Sequence, residues 1–208
     1  MNLIVTAATH IGKRREKQED AYAVQNNFWV VADGMGGHSK GEIAAQAAAE
    51  AALKYKDKSL DEICMLANEA VCNIPRRFSE ASPGTTLLLA RRKEDKLELA
   101  SVGDSYIMKL NDNIIINERH EDERGYLTSH IGMFYNLKVW IGEVTLNVGD
   151  KYILVTDGLD ALKVPLFGGS SYKPSDVLLC ANAQEVIDKV LESSAYDNIT
   201  CVYIEVKE

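Results

Sequence analysis

The sequence has no CxxC pair. Its four cysteines, Cys64, Cys72, Cys180 and Cys201, stand singly, with no partners at zinc-ligand spacing. Each lies in an apolar context, the usual setting of a buried free thiol. A disulfide scaffold is therefore not expected, and a reducing, cytoplasmic compartment is. Positive charge is also in deficit, with a formal net charge of −8. Binding to nucleic acid needs cations to neutralise phosphates, so broad nucleic-acid binding is not expected. A polybasic membrane contact is not expected either. No apolar run approaches the length of a membrane-spanning helix. The opening, Met1-Asn2-Leu3-Ile4-Val5-Thr6-Ala7-Ala8, lacks a basic leader and a long apolar core, which predicts no signal peptide. There is no internal repeat, low-complexity tract or linker. The glycines at 34–37 are not followed by the Gly-Lys-Ser/Thr ending of a nucleotide-cradling loop. His10, His120 and His130 have no ligand-like spacing. Arg76-Arg77 and Arg91-Arg92-Lys93 read as solvated ends of elements.

What is present suits one globular domain over residues 1–208, with 46% hydrophobic residues to build a core. Residues 3–9 read as a strand. Two short strands follow, about 21–24 and 28–32, with Asn26-Asn27 as a hairpin turn. The second is expected to end at Asp33. Residues 41–55 form an alanine-rich helical pattern. Ser59 is placed to cap the next helix, with Glu62 completing a capping box. Leu60, Ile63, Cys64, Ala67, Ala70, Val71 and Ile74 keep helical spacing, and Pro75 lies near its end. After Ser82-Pro83-Gly84 the pattern turns to strands at 85–90, 96–101, 105–110 and 113–117. Their short connections predict an antiparallel meander. Residues 118–124 read as an exposed charged loop. A buried strand at 152–156, a glycine- and serine-rich mobile segment at 164–173, a helix at 183–193 and a strand at 199–206 complete the chain. The order of elements predicts an α+β domain of packed sheets with helices outside.

Three acidic positions stand out. Asp33 and Asp157 each follow an apolar strand and precede glycine, and Asp197 directly precedes the last strand. Taken singly, each is equally an ordinary turn or cap residue. Glu19-Asp20 opens a strand near Arg15. If the strand ends converge, several carboxylates share one cleft, and like charges so placed persist only with cations or with raised pKa values. A carboxylate beside a free backbone carbonyl, as at Asp33-Gly34, is hard-cation chemistry. Two such cations can clamp an attacking oxygen and a phosphoryl group. The planar fork of Arg15 suits phosphate.

These residues carry a resemblance. Arg15-Glu16-Lys17-Gln18-Glu19-Asp20, Asp33-Gly34-Met35-Gly36-Gly37-His38 with Gly41-Glu42, and Gly84-Thr85-Thr86 resemble, in order, motifs of the type 2C metal-dependent protein serine/threonine phosphatases in their compact bacterial form. Val102-Gly103-Asp104-Ser105, Leu127-Thr128-Ser129-His130-Ile131-Gly132, Gly149-Asp150, Thr156-Asp157-Gly158-Leu159 and Asp197-Asn198-Ile199-Thr200 continue the series. The resemblance implies a four-layer α-β-β-α sandwich with two central antiparallel sheets flanked by helices. It implies hydrolysis of phosphoserine and phosphothreonine in proteins, in one step, by water that two Mg or Mn ions activate. Asp33 would bridge the ions and the Gly34 carbonyl would bind one of them. Asp157 and Asp197 would hold the other. Glu19 and Asp20 would orient bound waters, with Asp20 set behind the ligands. Arg15 would contact the substrate phosphate, Asn198 would support Asp197, and Asp104 matches the aspartate of a third, weaker ion. The implied partners are a phosphorylated protein and an opposing serine/threonine kinase.

The chain departs from the family pattern in places. The flap, about residues 118–127, is short. The family often has an acid four positions after Asp157; here Ala161 stands there and Asp160 one residue earlier. Tyr106 replaces a common arginine, and Met35 replaces the histidine of many relatives. His38, among glycines, reads as structural. Two rival functions follow from the short flap: a non-catalytic relative that binds phosphoproteins or regulates, and a hydrolase of small phosphoesters. Retention of Asp33, Asp157 and Asp197 favours catalysis over the first.

Overall fold

The computed structural model describes residues 1–35, 40–77, 81–166, 169–172 and 175–208, with side chains described outside 163–176. Gly36, Gly37 and His38 of the glycine-rich motif lie outside the described residues.

The chain opens with strand β1 (Asn2–His10), then the hairpin of β2 (Asp20–Gln25) and β3 (Phe28–Met35). Asn26 takes a positive φ of 46° at the hairpin turn, a conformation asparagine tolerates. Helices α1 (Gly41–Lys54) and α2 (Leu60–Cys72) follow, then β4 (Gly84–Thr85), β5 (Leu87–Lys93), β6 (Lys96–Val102), β7 (Tyr106–Lys109), β8 (Ile114–Ile115), β9 (Trp140–Thr145) and β10 (Lys151–Val155). A 3-10 turn spans Asp157–Leu162. The ribbon β11 (Lys163–Leu166) and β12 (Gly169–Tyr172), the helices α3 (Ser175–Leu178) and α4 (Ala183–Leu191), and the strand β13 (Ile199–Lys207) close the chain.

The strands form two main antiparallel sheets, in the orders β1-β13-β10-β7-β8 and β2-β3-β5-β6-β9. Alternation along each strand explains how they stack, since successive side chains point to opposite faces. Trp29 and Val31 of β3, and Leu88 and Ala90 of β5, face Leu154 of β10 and Val202, Ile204 and Val206 of β13 in a core between the sheets. Val30 and Ala32, with Leu87 and Leu89, face the other way onto α1 and α2. Cys201 and Tyr203 face α4. The result is the four-layer α-β-β-α sandwich. Helix α1 packs closely because its inner face is Ala44, Ala45, Ala48, Ala49 and Ala52. Helix α4 is capped by Asn182, whose Oδ1 accepts from the Glu185 amide at 3.0 Å, while Glu185 Oε2 reaches back to accept from the Ala181 amide at 2.8 Å.

Several expectations are corrected. β3 runs past Asp33 to Met35, because Gly34 and Met35 pair with β4. The strands after Gly84 are not one meander: β6 belongs to one sheet and β7 to the other, and the chain crosses between them at Gly103-Asp104-Ser105. Ser59 precedes α2 but makes no side-chain cap bond. Ser59 instead lowers the carboxyl of Asp61, and Glu62 pairs with Lys58. β9 is an edge strand whose residues alternate between half-buried and exposed, a pattern without a strong apolar signal. His120 and Arg119 of the expected exposed loop are turned inward. The glycine- and serine-rich segment 164–173 holds most of the β11–β12 ribbon, a pair of strands not expected there, and residues 167, 168 and 173 lie outside the described residues. Among the described residues, no helix is long and apolar enough to cross a membrane.

Candidate active site

The sheet topology brings the acidic strand ends to one edge. Asp20 and Asp33 are direct register partners on β2 and β3. β10 and β13 run antiparallel with Val155 opposite Cys201, so Asp157 after one strand and Asp197 before the other emerge together. The crossover from β6 to β7 carries Asp104 to the same end. A cleft of about 140 Å3 opens there, lined by Arg15, Glu19, Asp33, Gly34, Asp104, Asp157, Asp197 and Asn198, with Met35, Thr86 and Leu127. Asp20 is not in the lining; it sits behind Asp33.

Close backbone approach makes this possible. A Cβ on Gly34 would run into the carbonyl oxygens of Gly41 and Glu19, so only glycine lets β3, the Arg15 loop and the start of α1 meet. Hydrogen bonds then fix the position of Asp33. Its amide donates to Thr86 Oγ1 at 3.0 Å, and its carbonyl accepts from the Thr86 amide at 2.9 Å and from Thr85 Oγ1 at 2.8 Å. Thr156 Oγ1 donates to Asp20 Oδ2 at 3.1 Å. Asn198 ties the Arg15 loop to the start of β13. Its Nδ2 donates to the carbonyls of Ile11 and Lys17 at 2.8 and 2.9 Å, and its Oδ1 accepts from the Glu19 amide at 2.8 Å. Its own amide donates to Asp197 Oδ1 at 2.8 Å. Arg15 Nη2 donates to Asp197 Oδ2 at 2.6 Å, with the arginine side chain 45% exposed at the mouth of the cleft.

The electrostatics are those of crowded, buried carboxylates. Burial, then the charges of Asp20 and Asp157, pushes Asp33 well above the usual carboxylate range. Burial, then Asp104 and Asp197, raises Asp157 to about 7. Burial raises Asp20 to about 7 against the hydrogen bonds of Thr200 and Thr156. Glu19 is raised by burial and by Glu42, and Asp104 by burial against the opposing charge of Arg119. Asp20 Oδ1 is buried without a hydrogen-bond partner. Among the described residues, no three His, Cys, Asp or Glu side chains are gathered at direct ligand distance. The donor set nevertheless fits hard divalent cations: it is all oxygen, its charge is unbalanced, and one buried carboxylate oxygen is unsatisfied.

A family model described as protein phosphatase 2C matches residues 8–192. The chain belongs to the protein phosphatase 2C family. Membership makes it a metal-dependent protein serine/threonine phosphatase. It is similar to protein phosphatase PhpP of Streptococcus pneumoniae, at 21% identity over 244 residues and 98% of each chain. Among solved structures it resembles the Mycobacterium tuberculosis serine/threonine phosphatase PstP/Ppp, with a TM-score of 0.83, 21% identity and 99% of each chain covered. The catalytic domain of PstP in complex with two manganese ions matches with a TM-score of 0.76 and 23% identity, again over 99% of each chain.

Within this protein phosphatase 2C chain, Arg119 escapes a sequence reading. It sits in a charged stretch that looks solvated, yet its side chain is only 14% exposed. The residues that bury it, Tyr106 and Asp160, are remote in sequence. His120 is buried, and its Nδ1 accepts from the Gly103 amide at 3.1 Å, while its own amide donates to the Gly103 carbonyl at 2.8 Å.

Proposed function

We propose that this chain hydrolyses phosphoserine and phosphothreonine in proteins with water activated by two divalent ions, Mg or Mn. Asp33, the Gly34 carbonyl, Asp157 and Asp197 would hold the ions, with Glu19 at the cleft wall and Asp20 behind. The observation that carries this reading is the convergence of buried carboxylates from both sheets beside an exposed arginine. Bound there, the ions would lower the pKa of water and polarise the phosphoryl group.

The chain's own groups supply the rest. Arg15 presents a fork of donors at the cleft mouth, suited to phosphate oxygens. Asp197 holds that fork at 2.6 Å, and Asn198 holds the loop that carries it. Asp20 and the two threonines behind it, Thr156 and Thr200, keep the carboxylates aligned. No covalent intermediate is required, and the four cysteines, all free thiols, have no part. Free thiols suit a reducing, cytoplasmic setting, with a serine/threonine kinase as the opposing activity. Residues 118–127 would serve as the flap of a single domain spanning 1–208.

The test is turnover of a phosphothreonine peptide and of p-nitrophenyl phosphate with Mn, with EDTA, and in Asp157→Asn. The proposal expects peptide turnover that EDTA and the substitution abolish. Turnover of the small ester alone, or inertness with Mn present, contradicts it.

A further inference from the structure

Arg119 is held on several sides. Its Nε donates to the Asp104 carbonyl at 2.6 Å. Its Nη2 stands 3.4 Å from Glu121 Oε2 and 3.6 Å from Asp160 Oδ2. The guanidinium carbon lies 5.2 Å over the Tyr106 ring, and the Tyr106 hydroxyl donates to Asp160 Oδ1 at 3.1 Å. The carboxylate of Asp104 feels the same positive charge, which opposes the effect of its burial. Asp104, Asp160 and Glu121 thus surround one largely buried guanidinium.

A third ion at Asp104 needs further hard-oxygen donors able to turn to it. Ala161 offers none on its side chain. Both oxygens of Asp160 are engaged, one by Tyr106 and one by Arg119. Any cation brought to Asp104 would also meet the charge of Arg119 in a poorly screened setting. Glu121 is paired with Arg119, and Asp157 is committed to the two ions of the cleft, so the donors left for a third ion do not fit one. We infer that Arg119 takes that ion's place: its guanidinium is a fixed positive charge beside Asp104, and the chain binds two divalent ions rather than three. Through its bond to the Asp104 carbonyl, Arg119 also fixes the crossover from β6 to β7, so it is a positioning residue. The inference rests on the two-ion reading of the cleft.

The test counts bound Mn on the full chain by titrating MnCl2 and following the electron paramagnetic resonance signal of the free ion. Wild type should bind two equivalents, and Asp104→Asn should bind the same number. Arg119→Met should uncover a third equivalent, about tenfold or more weaker than the others, since ligand charge count sets affinity. Adding Asp104→Asn to that variant should remove it. Three equivalents in wild type with two in Asp104→Asn overturn the inference alone. So does Arg119→Met binding only two. Fewer than two in wild type overturns the two-ion reading and this inference with it. Should Arg119→Met fail to fold, Arg119→Gln, which keeps a polar side chain and removes the charge, takes its place with the same expected and contradicting counts.

Discussion

The carbonyl oxygen of Asn198 occupies the space that a Cβ on Gly158 would need. The turn after β10 and the turn before β13 are thus pressed together at the backbone, which sets how far Asp157 stands from Asp197. Gly158→Ala should push them apart. Overpacking of this kind costs about 1–3 kcal/mol. Urea unfolding should show that loss at an unchanged slope, and Mn affinity should fall with it. Full stability together with full Mn affinity would refute the contact's role.

Asn198 is the clamp of the Arg15 loop. Asn198→Ala leaves the Ile11 and Lys17 carbonyls and the Glu19 amide without their partner. Loss of such bonds should cost about 2–3 kcal/mol, with some recovered by water. Because the loop carries the phosphate contact, KM should rise more than kcat falls. Steady-state kinetics on a phosphothreonine peptide, beside a urea curve, check both.

Arg15 and Asp197 share a charge-assisted bond that leaves the rest of the guanidinium at the cleft mouth. Arg15→Ala should lower kcat/KM roughly 10- to 100-fold, the worth of a charged hydrogen bond or two to phosphate. Arg15→Lys should recover only part of this, because a point charge cannot reproduce the fork. An unchanged kcat/KM in Arg15→Ala would remove Arg15 from the site.

The buried carboxylates make stability depend on pH. Asp20 and Asp157 rise from 3.8 to about 7 in the folded chain. Their stabilising contribution is therefore complete below the unfolded value and lost as pH rises through about 7. In EDTA the urea midpoint should fall between about pH 5 and about pH 8. His120 is lowered by burial and acts in the opposite sense, losing stability as pH falls, so the comparison is with Asp157→Asn, whose fall should be smaller. Mn should shrink the fall in wild type by binding the deprotonated carboxylates. A wild-type midpoint that rises with pH in EDTA more steeply than that of Asp157→Asn would contradict the raised values.

Much of this was legible in the residues. The continuous apolar run at 28–32 marked β3 as a buried strand, and the carboxylate-glycine pairs at Asp33 and Asp157 marked two of the positions that meet in the cleft. What was not legible depended on distant neighbours. The crossover at Gly103 looks like any tight turn until β7 is seen pairing with β10. β9 has one exposed face and a free edge, so its apolar signal is weak. Ser59 and Glu62 match a capping box in spacing, yet Asp61 and Lys58 are nearer partners. Arg119 looked solvated because Asp160 and Tyr106 lie far from it along the chain.

The central claim is that side chains from both sheets hold two divalent ions in one cleft. Anomalous diffraction at the manganese edge, from a crystal grown with MnCl2, tests it most directly. The account predicts two peaks between the carboxylates of Asp33, Asp157 and Asp197, with one beside the Gly34 carbonyl. A map without peaks there, with Asp33 and Asp197 turned from one another, would contradict it.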